Sequence, residues 1–137
     1  VLYSSHMFEH LSRDGAINFL NEARRVLSDD GIIRIAVPDL EKSIATYNEN
    51  TDADYFMDSI FVRAPSINSL KEKINLLFSG YRHHQWMYDG KSLVAILNQH
   101  NFSYATIQCN GRTLIQEVGK LDLFERSEES VIIEAMK

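Results

Sequence analysis

The chain is poor in cysteine and proline, with one Cys and two Pro among 137 residues, and it has no long apolar run. A single cysteine, Cys109, cannot form an intrachain disulfide, which is typical of a protein from a reducing cytosol. No stretch approaches the roughly 20 apolar residues of a membrane span, and no signal-peptide pattern opens the chain. With 45% hydrophobic and 24% charged residues, the composition predicts one ordinary globular domain in the cytoplasm, without a membrane partner.

Positive charge is also scarce. Fourteen Lys and Arg stand against 19 Asp and Glu, so the formal charge is −5 and the isoelectric point is near 5.5. The basic residues are scattered, and the closest approach to a basic patch is the pair Arg24 and Arg25. Such a pair on a helix is usually a solvated face. The charge therefore argues against a nucleic-acid partner.

Residues 3–41 carry the most informative pattern, which reads as strand, polar loop, amphipathic helix, turn and strand. Ser12 or Asp14 is expected to cap the helix, and Gly31 to end it in a left-handed turn. The apolar stripe of the helix comprises Ile17, Phe19, Leu20, Ala23, Val26 and Leu27. Residues 32–37 then form a buried strand. This is a parallel β-α-β unit whose polar loop follows the carboxyl end of its first strand, where such folds keep their chemistry.

The rest of the chain completes one α/β domain over residues 1–137. Residues 40–80 are predicted to be helical in pieces, an insertion that covers a site or dimerises. Asp89 is expected to open a further helix, followed by strands at residues 102–109 and 130–136. Residues 112–126 are either a hairpin arm or an irregular loop. The predicted sheet is largely parallel, with helices on both faces and an antiparallel last strand.

Two charged residues, one within the second strand and one just after it, are expected to have structural roles. Arg34 interrupts a buried apolar run, so we expect it to pair with a carboxylate or to extend to the edge of the sheet. Asp39 follows the strand, where it could face a pocket or cap the next helix; capping is the expected role.

The first cluster of candidate site residues is His6-Met7-Phe8-Glu9-His10, which fits the H-x-x-E-H spacing of one class of zinc peptidases. Those enzymes need both histidines one helical turn apart, with the glutamate as base. Here the motif precedes the expected helix cap at Ser12, which disfavours that geometry. We therefore assign no metal ligand and keep the zinc peptidase as an alternative.

The second cluster lies in residues 82–88. One interpretation is a lid that contacts substrate, with Trp86 and Tyr88 as flat contacts and His84 as a hydrogen-bond donor. The other is a packed strap that anchors the loop before the next helix, which is the usual role of Trp and Met near a helix start. The sequence leaves both open and favours the strap.

Taken in order, four segments resemble class I S-adenosylmethionine-dependent methyltransferases, and in particular a small bacterial branch of that family. The segments are YSSHMFEHL, EARRVLSDDGIIRIAVPDLE, HHQWMYDGKSLVAILNQHNF and LDLFERSEESVIIEAMK. The resemblance implies a sheet of order three-two-one-four-five-seven-six with strand seven antiparallel. On that map residues 1–5, 32–37, 102–109 and 130–136 are strands four, five, six and seven, which is the carboxyl-terminal half.

The resemblance also implies roles at the site. Three residues would border the methionine end of S-adenosylmethionine: Tyr3, Ser4 and Ser5. His6 or His10 could remove a proton from an oxygen or nitrogen nucleophile, because imidazole titrates near neutral pH. Alternatively His10 and Glu9 only brace the loop and cap the helix. The substrate would be a small molecule or a glycan precursor.

This chain departs from the family by lacking a glycine-rich loop and the acidic residue that holds the ribose. Its six glycines are dispersed, at positions 15, 31, 80, 90, 111 and 119. We therefore expect a truncated domain that binds little cofactor by itself and gives no turnover. An exposed strand four would favour a homodimer, or completion by a missing amino-terminal half. A non-catalytic interaction or dimerisation module is the alternative.

Overall fold

The computed structural model describes residues 1–60 and 83–137. Its strands are β1 (Leu2–Ser5), β2 (Ile32–Pro38), β3 (Ser103–Ile107) and β4 (Ser130–Met136). Its helices are α1 (Arg13–Val26), α2 (Leu40–Asn50), α3 (Ala53–Ser59) and α4 (Gly90–Gln99), and Phe8–His10 form one 3₁₀ turn. None of the helices in this part of the chain is both long enough and apolar enough to cross a bilayer.

The four strands form one mixed sheet in the order β1-β2-β4-β3. β1 and β2 are parallel, with Ser5 opposite Ala36, whereas β4 runs antiparallel to both of its neighbours, β2 and β3. This confirms the predicted α/β class with an antiparallel last strand. Helices α2 and α3 lie within the segment predicted as a helical insertion, and its residues from 61 onward lie outside the described residues.

Helix α1 forms as its apolar spacing predicts, although it ends earlier than expected. The Ser12 hydroxyl caps it by accepting from Gly15 N, and its buried positions include Ala16, Leu20 and Ala23. The prediction for Gly31 was wrong: this residue is not in the left-handed region. A side chain there would place Cβ 2.8 Å from the carbonyl oxygen of Ser28, so close backbone packing, and not φ, requires glycine.

Helix α4 packs on the sheet through Leu93, Ile96 and Leu97. Asp89 caps it in a reciprocal box: the carboxylate accepts from Ser92 N, and the Ser92 hydroxyl accepts from Asp89 N. Asp89 was the expected start of this helix, which is confirmed. The segment between β3 and β4 is irregular, which decides between the two predictions for residues 112–126.

A buried ion pair joins two strands in the core. The Arg34 guanidinium donates to Glu134 Oε1 at 2.6 Å from the neighbouring strand, and both side chains are fully buried. Glu134 also accepts from the Thr113 hydroxyl and from Leu114 N, and Arg34 donates to Arg112 O. The pairing predicted for Arg34 is confirmed. This network fixes the irregular loop against the middle of the sheet.

We predict that Glu134→Leu alone destabilises the fold by about 3–5 kcal/mol, because it leaves the Arg34 charge buried without its counter-ion. Arg34→Met combined with Glu134→Leu is expected to recover much of that loss, since both charges are then replaced by apolar groups of similar length. Chemical denaturation measures both effects. Glu22→Gln, which breaks the exposed pair with Arg25, is the control and should change little. Equal losses in the single and double variants would contradict the role given to the ion pair.

Candidate functional site

A polar cavity of about 230 Å³ lies beside the carboxyl ends of β1 and β2. It is lined by His6, Glu9, His10, Pro38, Ser59, His84, Arg126 and Glu129. A larger cavity of about 630 Å³ lies near Gly31, Ile32 and Met136, at the amino end of β2. We assign function to the smaller one, because parallel strands present their chemistry at their carboxyl ends and because the histidines gather there.

A left-handed residue directs the chain into this cavity. His6, the first residue after β1, has φ of 47°, which is uncommon outside glycine. Its backbone N–H donates to Ala36 O at 2.9 Å, and its Nε2 lies 2.8 Å from the Ser130 hydroxyl oxygen. The 3₁₀ turn follows, with Phe8 buried in the core. Strand β2, strand β4 and the core therefore fix the turn that carries Glu9.

Glu9 is the centre of the cluster. Its carboxylate is 1% exposed, and Oε1 lies 3.5 Å from His6 Nδ1, 3.8 Å from His10 Nε2 and 3.9 Å from His84 Nε2. Within the described parts of the chain, neither carboxylate oxygen accepts a hydrogen bond. Glu9 therefore has three imidazoles around it and no conventional donor, which is unusual for a buried carboxylate.

The backbone of Glu9 holds the second cluster against the first. Its carbonyl oxygen accepts from Gln85 N at 2.8 Å and from Trp86 N at 3.1 Å. The Gln85 side chain also donates to His10 O. These bonds bring His84 into the cavity, and its ring lies 5.0 Å from that of His10.

The hydrogen bonding of His10 determines which nitrogen carries the proton when the ring is neutral. Its Nδ1 lies 3.2 Å from His83 O, and a carbonyl oxygen only accepts, so Nδ1 carries the proton. In the neutral ring Nε2 is then the bare nitrogen, and it is this atom that faces Glu9. His6 is different, because the Ser130 hydroxyl can either donate or accept.

Burial sets the electrostatics of the cavity. It raises the pKa of Glu9 above that of an ordinary glutamate, and it lowers the pKa values of His6 and His84 below that of an ordinary histidine. The buried imidazoles are therefore biased towards the neutral form. Arg126 and Glu129, which also line the cavity, pair with each other.

Glu9, His10 and His84 could hold a metal ion, since one donor atom from each lies within 4.8 Å of the others. His6 is not part of this set. The geometry is not that of the zinc peptidase alternative, because His6 precedes the 3₁₀ turn and α1 begins only at Arg13. The two motif histidines are therefore not one turn apart on a helix.

The three residues expected to border a cofactor do not line this cavity. The Tyr3 hydroxyl donates to Glu125 at 2.8 Å, the Ser5 hydroxyl donates to the same carboxylate at 3.2 Å, and Ser4 is buried in the sheet. Asp39 caps α2 by accepting from Glu41 N, as expected.

The residues expected to contact substrate separate into three environments. His84 is 7% exposed and faces Glu9, whereas Tyr88 is 1% exposed and packs on Phe8. Trp86 is 45% exposed, with the Arg13 guanidinium 4.7 Å from its ring centroid. Of the two interpretations of this segment, the packed strap is therefore the one that fits Tyr88. Sequence reasoning missed Glu9 as the centre, although the H-x-x-E-H spacing was a signal for it.

Comparisons with known proteins give little. No family model matches the chain, and no curated protein sequence matches it. Solved structures do match, and one of them is described as the crystal structure of small RNA methyltransferase HEN1. The alignment covers 100% of this chain and 14% of that chain, with 12% identity and a TM-score of 0.49. A likeness of this extent identifies neither an activity nor a substrate.

We predict that Tyr88→Ala lowers the free energy of unfolding by about 3–5 kcal/mol, because it removes a buried ring from the core. Trp86→Ala should cost much less, since that ring is half exposed, and it serves as the matched control. Urea denaturation followed by circular dichroism measures both. Comparable losses for the two variants would contradict the placement of Tyr88 in the core and Trp86 at the surface.

Proposed function

We propose that this chain is the substrate-side part of an S-adenosylmethionine-dependent methyltransferase-like domain. The observation that carries the proposal is the strand order β1-β2-β4-β3 with β4 antiparallel. The sequence resemblance implies this arrangement for strands four, five, seven and six of that family. The cavity at the carboxyl ends of β1 and β2 is a second support, because that edge is where such sheets bind their ligands.

The residues of the cavity supply acid–base chemistry and not a complete cofactor site. A space of about 230 Å³ is below the roughly 300–1,000 Å³ of typical small-molecule sites. Tyr3 and Ser5 bind Glu125, and the sequence contains no glycine-rich loop. The described residues therefore do not fit the whole of S-adenosylmethionine, and we derive no step through it.

Within this proposal His6 is the proton acceptor and His10 a positioning residue. His6 lines the cavity, and burial lowers its pKa, so the ring is neutral near pH 7 and can take a proton from a hydroxyl or amine. His10 uses Nδ1 to bind His83 O, which orients its ring towards Glu9. The substrate would be a small molecule or glycan precursor held beside His6.

We expect calorimetric titration of S-adenosylmethionine into this 137-residue chain to give a dissociation constant above about 1 mM. This corresponds to a binding free energy less favourable than about −4 kcal/mol. The protein expressed from its complete open reading frame is the comparison and should bind at micromolar concentration if that frame supplies a glycine-rich loop. Micromolar binding by the chain alone would contradict the incomplete site. If that protein contains such a loop and still does not bind S-adenosylmethionine, the proposal of methyl transfer is contradicted.

A second candidate is a dimerisation module, and the observation that favours it is the free edge of β1. Within the described residues β1 pairs only with β2. The opposite edge, β3, is less regular, because its register shifts between Ser103 and Thr106 and Tyr104 has φ of 52°. Regular edges pair with other chains more readily than irregular ones.

We therefore expect light scattering to find a homodimer whose population rises with concentration. Val1→Lys, which adds a charge beside β1 at a residue that is largely exposed, should weaken the dimer. Tyr104→Lys introduces a lysine on the β3 edge instead, and it should not weaken the dimer. A monodisperse monomer at all concentrations, or equal effects of the two lysines, would contradict pairing through β1.

A further inference from the structure

We propose that Glu9, His10 and His84 bind one divalent transition-metal ion through one oxygen and two nitrogens, with a further coordination position open to the cavity. The proposal goes beyond methyl transfer and does not depend on it. It rests on the environment of the Glu9 carboxylate, the hydrogen bonding of His10 and the separations of the three donor atoms.

The first step is the cost of burying Glu9. A carboxylate removed from water without hydrogen-bond donors is strongly unfavourable unless a positive charge compensates it. In the described residues no donor reaches either of its oxygens, and Arg126, which lines the same cavity, is paired with Glu129. The side chain nevertheless points into a group of imidazoles. A proton on the carboxyl group removes this cost, and a cation bound between the carboxylate and the imidazoles removes it as well.

The second step is the orientation of His10. Because Nδ1 donates to His83 O, a neutral His10 presents the lone pair of Nε2 to Glu9 Oε1 at 3.8 Å. Two acceptors facing each other repel, whereas a metal ion between them is bound by both. A ring nitrogen that donates to a backbone carbonyl while the other faces the ion is the usual arrangement of a metal-binding histidine.

The third step is distance. Metal bonds of 2.0–2.2 Å place two donors on a tetrahedral ion about 3.4 Å apart. Glu9 Oε1 is 3.8 Å from His10 Nε2 and 3.9 Å from His84 Nε2, and the set spans no more than 4.8 Å. Small side-chain rotations would therefore close the site around an ion, without movement of the backbone.

The donor set selects the class of metal. Two imidazoles and one carboxylate suit Zn²⁺ and its transition-metal neighbours, whereas Mg²⁺ and Ca²⁺ prefer oxygen ligands throughout. Three protein ligands with an open position are typical of catalytic rather than structural zinc. His6 Nδ1 lies 3.5 Å from Glu9 Oε1 and borders the same cavity, so it stands beside whatever occupies the open position.

The test is metal binding by the purified chain after treatment with a chelator. Calorimetric titration with Zn²⁺ should show one ion per chain, and Co²⁺ should give visible absorption bands of a site with nitrogen ligands. Mg²⁺ and Ca²⁺ should not compete at equal concentration. Glu9→Gln and His84→Gln should each weaken Zn²⁺ binding about 100-fold or more. His100→Gln should not, because His100 follows the end of α4 and its ring contacts Asn21.

Thermal melting distinguishes a metal ligand from a structural carboxylate. In chelator, Glu9→Gln should melt at the temperature of the unchanged chain or higher, because it removes a buried charge, and it should lose the rise that Zn²⁺ gives the unchanged chain. Lack of Zn²⁺ binding, or binding that survives both site variants, would overturn the proposal. So would a lower melting temperature of Glu9→Gln in chelator, which would mean that protonated histidines hold the carboxylate. None of these readouts involves S-adenosylmethionine, so failure of the proposed methyl transfer leaves them unaffected.

Discussion

Glu9 joins the two halves of the site, and the geometry of the cavity depends on it. Its carbonyl oxygen receives the N–H groups of Gln85 and Trp86, which fixes the strap that carries His84. The carboxylate oxygen Oε1 of the same residue lies 3.8 Å from His10 Nε2 and 3.9 Å from His84 Nε2. The backbone therefore determines which imidazoles surround the side chain. The left-handed turn at His6 and the burial of Phe8 in the core hold Glu9 in this position.

Two buried glutamates in this small fold show how a structural charge differs from a candidate functional one. Glu134 has the Arg34 guanidinium, the Thr113 hydroxyl and Leu114 N as donors, so its charge is compensated within the fold. Glu9 is equally buried, yet it has no donor among the described residues. A fold that compensates one carboxylate so completely has the means to compensate another. The carboxylate without a donor, in a cavity and among three imidazoles, is where a ligand or a reaction is to be expected.

The sequence predicts local features of this fold better than long-range ones. The caps at Ser12, Asp39 and Asp89 depend on a side chain and the next turn of helix, and all three are as expected. Gly31 shows the limit of local reasoning, because a glycine after a helix has two explanations, φ and close packing, and the spacing does not separate them. The α/β class followed from hydrophobic periodicity.

The site needed information that no local pattern contains. His6, Glu9 and His10 are adjacent in the sequence, whereas His84 is 75 residues beyond Glu9 and joins them through two backbone hydrogen bonds. The run from His84 to Tyr88 gave no indication that His84 faces the cavity, Trp86 the surface and Tyr88 the core. Those directions are set by the bonds to Glu9 and by the pairing of Tyr88 with Asp39. Binding residues were therefore recognisable by type, while their grouping required the fold.

The proposed metal site and the proposed proton acceptor make compatible demands on the same cavity. A metal ion held by Glu9, His10 and His84 would use one nitrogen of each of these two rings, and it would leave His6 outside the ligand set. Such an ion would make an oxygen bound at the open position lose its proton more readily, because of its charge. His6, which lines the same cavity, would be positioned to accept that proton. Separate roles for His6 and His10 follow from their hydrogen bonds, since His10 Nδ1 is bound to the carbonyl oxygen of His83, whereas His6 Nε2 lies beside the Ser130 hydroxyl.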